Sequence, residues 1–164
     1  MTMWARRFLV LGLVVPALLA GTVGCGILSP EDEWEKLEKE LNRNWNRWDR
    51  EAIGSYSLTQ THLCECIPIF QGPSRIWVVD GVITRVEKTL GGEVVEEEDW
   101  PAWYTVEEMF LLIEDAIHDQ VAVLELEYDP VRGFPTRIAV DRQEHTIDDE
   151  RVMEVSEFWD EGGP

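Results

Sequence analysis

Cysteine and histidine are scarce in this chain, with three of each among 164 residues, and basic residues are few, 14 against 33 acidic ones. The resulting net charge of -19 repels phosphate backbones and anionic lipid surfaces, which disfavours nucleic-acid binding and electrostatic docking to a membrane. Any membrane attachment must then be hydrophobic or covalent. There is no histidine-pair zinc motif, no glycine-flanked nucleophile elbow and no EF-hand spacing, and the carboxylates are too numerous for any pair to be informative. The chain therefore reads as a non-enzyme that needs no cofactor. What is present argues for a folded domain with an acidic surface. Hydrophobic residues make up 45% of the sequence, and seven of the eight tryptophans follow Cys25, unlike the composition of a disordered acidic tail.

The first 24 residues have the layout of a signal peptide: Arg6 and Arg7, an apolar run over 8–20 broken only by Gly12 and Pro16, then the small residues Gly21, Thr22 and Gly24 before Cys25. The stretch Thr22-Val23-Gly24-Cys25 resembles a lipobox, with threonine where leucine is usual. Cleavage before Cys25 and lipidation of its thiol would leave 140 residues with a net charge of -21, since the leader carries two arginines and no acids. An uncleaved anchor competes, because 8–28 spans 21 mostly apolar residues and a membrane helix needs about 20. Pro16 and the glycine-rich end oppose it. A plain secreted protein is the remaining reading. The expectation is an exported protein held by lipid on the extracytoplasmic face of the cell membrane. In a cell with two membranes, Gly26 in place of a retaining aspartate leaves the outer membrane open as a destination.

The expected organisation is a signal peptide over 1–24, a lipidated tether over 25–30, a single α+β domain over 31–159 and a flexible tail over 160–164. Ser29-Pro30-Glu31-Asp32 opens a helix with a cap, a first-turn proline and early acids. Trp34, Leu37, Leu41, Trp45, Trp48 and Ala52 follow as one apolar stripe, ending near Gly54. That stripe packs on the domain or docks a partner near the membrane. From Ser55 the period becomes two, with Tyr56, Leu58, His62, Cys64 and Cys66 on one side of a strand that Pro68 should end. Asp80-Gly81 joins strands over 74–79 and 82–87 as a two-residue hairpin. Residues 90–103 read as a long acidic and aromatic loop. Thr105 and Glu108 form a capping box for a second helix, whose buried face is Val106, Met109, Phe110, Ile113, Ala116 and Ile117. Strands over 121–128 and 134–142, joined by a turn, and a last strand over 152–159 complete the pattern. It predicts an antiparallel sheet of five to six strands built from hairpins, one helix on a face and an N-terminal amphipathic helix.

Several pieces in this order resemble an uncharacterised family, a domain of unknown function found in exported bacterial lipoproteins. They are Tyr56 leading into Cys64-Glu65-Cys66, the hairpin Val78-Val79-Asp80-Gly81-Val82, and the helix opening Thr105-Val106-Glu107-Glu108-Met109-Phe110. The most specific is Tyr128-Asp129-Pro130-Val131-Arg132-Gly133-Phe134-Pro135-Thr136, followed by Asp141 and Asp148-Asp149-Glu150. The resemblance covers about 48–158. It implies export, a small mixed domain and paired cysteines, and supplies no activity or ligand.

With Cys25 lipidated, Cys64 and Cys66 are the remaining thiols, and in an oxidising compartment a disulfide between them is the default. Two residues of ideal strand separate α-carbons by about 6.6 Å, near the upper edge of disulfide geometry, so a bulge or turn at Glu65 is required. Free buried thiols and a redox or metal role are the alternatives. His62, Cys64 and Cys66 at alternating positions offer three ligands to copper or zinc, with no fourth placed by the sequence. Acids at 96–99 and 148–150, with Asp129 and Asp141, are solvated faces or weak calcium ligands. His118 suits the end of a helix dipole. Trp100, Trp103 and Tyr104 either pack over the sheet or display aromatics to a sugar ring or a cationic peptide. The expected role is a lipid-anchored binding or structural module whose partner is an envelope protein or the cell wall. The alternative is envelope thiol-redox or metal handling through His62, Cys64 and Cys66.

Overall fold

The computed structural model of the protein describes residues 30–64, 66–142 and 151–162. The expected leader, Cys25, the Ser29 cap, the turn at Glu65 and the acids at 148–150 lie outside the described residues. Two long helices and six strands make an α+β fold: α1 (Pro30–Glu51), β1 (Tyr56–Leu63), β2 (Gly72–Val79), β3 (Val82–Lys88), α2 (Val106–Asp119), β4 (Val123–Tyr128), β5 (Pro135–Asp141) and β6 (Arg151–Asp160). Short 3-10 turns occupy Pro68–Phe70 and Glu97–Ala102. No helix among the described residues is long and apolar enough to cross a membrane.

The sheet order is β3-β2-β1-β6-β5-β4, and every neighbouring pair is antiparallel. Two three-stranded meanders are thus joined where the first strand meets the last. Asp80 and Gly81 turn the β2–β3 hairpin with φ of 50° and 76°, the left-handed pair that a two-residue turn demands. At the start of α2 the Thr105 hydroxyl accepts from the Glu108 amide at 3.2 Å, and the Glu108 carboxylate accepts from the Thr105 amide at 2.8 Å. This reciprocal cap satisfies two helix-end donors.

Period-two alternation places Tyr56, Leu58, Ile76, Val78, Val86, Ile138, Val140, Met153 and Val155 in the core with Met109, Phe110 and Ile113 of α2 and Leu41 and Trp48 of α1. Full burial of each such side chain contributes about 1.5 to 3 kcal/mol. Trp48 anchors the helix to the sheet, its ring 5.5 to 6.0 Å from those of Tyr56, Phe158 and Phe134, while Trp45 stacks on Phe110 at 5.1 Å. The tryptophan stripe of α1 therefore includes two rings turned into the domain.

β1 departs from its expected span. It ends at Leu63, so Cys64 and Cys66 lie in the connection rather than in the strand that Pro68 was expected to close. The reason is the sheet register: His62 pairs with Gly72 and Leu63 with Val152, after which the chain must reverse to begin β2. The segment expected as loop also has more structure, with a bridge between Glu87 and Val94 and a 3-10 turn through Pro101.

β6 carries an irregularity that alternation alone does not reveal. Ser57 pairs with Trp159 and Thr59 with Ser156, so β6 spends one extra residue there. Glu157 takes it up with φ of 49°, forming a bulge. Unbroken alternation from Val155 would turn Phe158 outward. The bulge keeps Phe158 on the aromatic cluster and Trp159 on the opposite, exposed side.

Candidate functional site

Two regions carry chemistry beyond packing, and the first is the end of β1. Cys64 and Cys66 are joined as a disulfide, with an S–S distance of 2.02 Å and α-carbons 5.3 Å apart. That separation is shorter than the roughly 6.6 Å of two residues of ideal strand. The segment after them is held by polar contacts: the Gln71 amide donates to the Cys66 carbonyl at 2.5 Å, and the Lys88 ammonium donates to the carbonyls of Ile69 at 3.2 Å and Gln71 at 2.5 Å. Phe70 lies edge-on to Trp103 with centroids 5.7 Å apart.

His62, the third expected member of this group, turns its ring toward Trp103 at 6.1 Å and toward the Gln60 side chain, with Nε2 3.4 Å from Oε1. Burial, then the positive charges of Lys88 and Arg151, lower its pKa to about 4. It is a neutral imidazole at physiological pH. With both sulfurs in one disulfide, neither offers a thiolate to a metal. Among the described residues no group of three or more histidine, cysteine, aspartate or glutamate side chains stands ready to hold one.

Gln60 was not singled out from sequence, yet it fastens this region. Fully buried, it donates through its amide to the Tyr104 carbonyl and accepts from the Tyr104 amide at 3.2 Å. The expected ligand-binding aromatics sit just beyond. Trp103 is 2% exposed and belongs to the core, and Trp100 is partly buried, with its indole N–H donating to the Val95 carbonyl at 3.0 Å. Tyr104 packs against the same core. Packing thus engages all three. The Trp103 indole nitrogen and the Ser74 hydroxyl are buried without a protein partner.

The second region is the face of the sheet turned away from both helices. Trp77, Ser57 and Trp159 sit side by side across β2, β1 and β6. Arg75 lies between the two indoles, its guanidinium 5.7 Å from the Trp77 ring centroid and 6.0 Å from that of Trp159, and Arg85 lies 5.2 Å from Trp77. The result is an alternating row of Arg85, Trp77, Arg75 and Trp159. Below it, Arg75 donates to the Ser57 hydroxyl at 2.9 Å, Ser57 donates to Glu161 at 2.8 Å and Thr59 donates to Glu157 at 3.1 Å. Farther along, Arg137 bridges Glu154 at 2.8 Å and Glu125 at 3.7 Å. Trp159 remains 58% exposed. A sequence signal for this face existed: Arg75 and Trp77 have the opposite parity to the core residues Ile76 and Val78.

The most specific sequence stretch is a packing device. Asp129 accepts from the amides of Val131 at 2.9 Å and Arg132 at 2.6 Å, a local turn that occupies the carboxylate oxygen. Arg132 lies 5.3 Å from the Phe158 ring centroid, and Arg47 of α1 donates to the Pro130 carbonyl at 3.0 Å. Gly133, with φ of 86°, lets this turn approach α1: a β-carbon there would meet the Asn44 carbonyl oxygen at 2.6 Å. Near the other end of α1, a groove of about 680 Å³ between the helices is lined by Trp34, Leu41 and Ile117 and by Glu38, Glu114 and Asp115.

This arrangement of helix, meander, helix and meander falls within residues 40–160, which match the model of a family of unknown function, DUF6174. The chain belongs to this family. DUF6174 membership covers the disulfide, the open face and the Gly133 turn, and leaves residues 1–39, including nearly half of α1, outside the match. No curated protein and no solved structure matches the chain.

Proposed function

We propose that this DUF6174 protein is an exported lipoprotein, tethered through Cys25, and that the open sheet face is where it binds a partner protein of the cell envelope. The observation that carries the reading is the row of Arg85, Trp77, Arg75 and Trp159, held in place on a face that neither helix covers. Tryptophan and arginine dominate the few residues that supply most of the energy in protein interfaces. Here their rotamers are already ordered by one another and by Ser57, so less conformational entropy is lost on binding. Hydroxyl side chains at Ser57, Thr59, Thr61 and Ser156 keep the central strands low beside the indoles. The covalent anchor reconciles a mature chain of net charge -21 with an anionic membrane, since two or more acyl chains secure attachment that surface charge would oppose.

The test has two arms. Globomycin treatment should accumulate a diacylglyceryl precursor, and Cys25→Ala should release the protein from membranes; an unchanged band in both would remove the anchor. Envelope proteins captured by the wild-type protein should be lost with Arg75→Glu and Trp159→Ala while the fold persists. Retention of every captured protein by both variants would remove the binding face.

A further inference from the structure

We propose that the Cys64–Cys66 disulfide is exchange-active and accepts two electrons from the dithiols of other proteins. Three observations lead there, none of which uses the open face. The first is that the fold has little need of the bond. A cross-link between residues two apart constrains the unfolded chain little. Its surroundings are fixed by other means: β1 is paired on both sides up to His62 and Leu63, Gln71 and Lys88 hold the carbonyls of the connecting segment, and Phe70 rests on Trp103.

The second observation is access. Both cysteines are partly exposed and are bracketed by Leu63 and Ile67, which are 50% and 59% exposed. Apolar side chains this open on either side of a disulfide suit an incoming polypeptide, which must lie across the sulfurs for a mixed disulfide to form. The third is charge. In an acidic protein, Lys88 lies on the segment that follows Cys66, and Arg151 begins the strand that pairs with Leu63. Both act electrostatically on His62, two residues before Cys64. Glu93 beside Lys88 opposes them. Cations near a departing sulfur favour the thiolate and so the exchange.

The chemistry balances as a two-step exchange. A thiolate of the partner dithiol attacks one sulfur of the Cys64–Cys66 bond, that bond breaks, a mixed disulfide forms and the second cysteine leaves as a thiolate. The partner's other thiolate then attacks the mixed disulfide and releases the first cysteine. The partner leaves oxidised to a disulfide, and this chain holds two thiols after taking up the partner's two electrons and two protons.

The experiment uses the oxidised full-length protein in detergent, mixed at neutral pH with one equivalent of reduced dithiothreitol, quenched in acid and alkylated. Mass spectrometry of the peptide containing Cys64 and Cys66 should show reduction at least tenfold faster than that of glutathione disulfide under the same conditions. An equal or slower rate overturns the proposal. The Cys64→Ser/Cys66→Ser variant should melt within a few degrees of the oxidised protein, and collapse of its fold would show a structural bond instead. Leu63→Ser/Ile67→Ser should slow reduction by a thioredoxin-fold dithiol protein at least fivefold while leaving the dithiothreitol rate unchanged. Unchanged rates with both reductants, or equal losses with both, would contradict docking of a polypeptide at the disulfide.

Discussion

The two faces of the sheet solve the same burial problem in opposite ways. On the covered face, Trp48 is sealed among Tyr56, Phe134 and Phe158, and its indole N–H donates to Glu107 at 2.8 Å. Glu107 also accepts from the Tyr56 hydroxyl at 3.3 Å, and that hydroxyl in turn accepts from the Val106 amide at 2.7 Å. Burial and the neighbouring Glu107 carboxylate push the Tyr56 phenol far above its ordinary range, so it stays protonated and donating. On the open face, Trp77 and Trp159 are held by cations rather than by a core. An indole on one face is structure, whereas an indole on the other is surface kept in order.

Removing one indole from each face should expose that difference most strongly. Trp48→Ala should cost about 3 to 5 kcal/mol in chemical denaturation, the range for a large aromatic lost from a core. Trp159→Ala should cost less than about 1 kcal/mol, the scale of an exposed cation–π contact. Equal losses would erase the distinction between the faces. Next in size is Gly133→Ala, which places a β-carbon 2.6 Å from the Asn44 carbonyl oxygen at a φ of 86°. It should destabilise by roughly 2 kcal/mol or more, read in the same denaturation experiment, because a strained backbone adds to the displacement of α1.

His62, at the end of β1, adds a pH dependence. The folded pKa of His62 is lowered to about 4, against an unfolded value of 6.5, so the unfolded chain binds the extra proton between these values. The stability contributed is fully present above pH 6.5 and is lost as pH falls toward 4. His62→Phe should flatten that part of the stability profile measured by thermal melts. An unaltered slope would place the titration elsewhere.

Much of the covered face was legible in the sequence because local rules act there. Thr105 and Glu108 announce α2, Asp80-Gly81 fixes a hairpin, and the spacing of Leu41, Trp45 and Trp48 marks the inward side of α1. The open face depends on long-range pairing, which periodicity within one strand does not contain. Trp77 and Trp159 become neighbours through β1, which lies between them, and Trp159 faces outward because a bulge at Glu157 shifts its parity. Trp100 and Trp103 stand beside acids in the sequence, but burial is decided by what packs on them, for Trp103 the ring of Phe70 and for Trp100 the segment whose Val95 carbonyl accepts its indole N–H. The Cys64–Cys66 pairing followed from compartment and count. Its place beyond the end of β1 followed from Gly72 and Val152, partners visible only once the strands are aligned.

The most direct test of the account is photo-crosslinking in cells, with a photoreactive residue at Ser156 on the open face and, in parallel, at Glu33 on the exposed surface of α1. The predicted result is a covalent adduct with an envelope protein from Ser156 and none from Glu33. Adducts from Glu33 alone, or the same adducts from both positions, would contradict the assignment of the open sheet face as the binding surface.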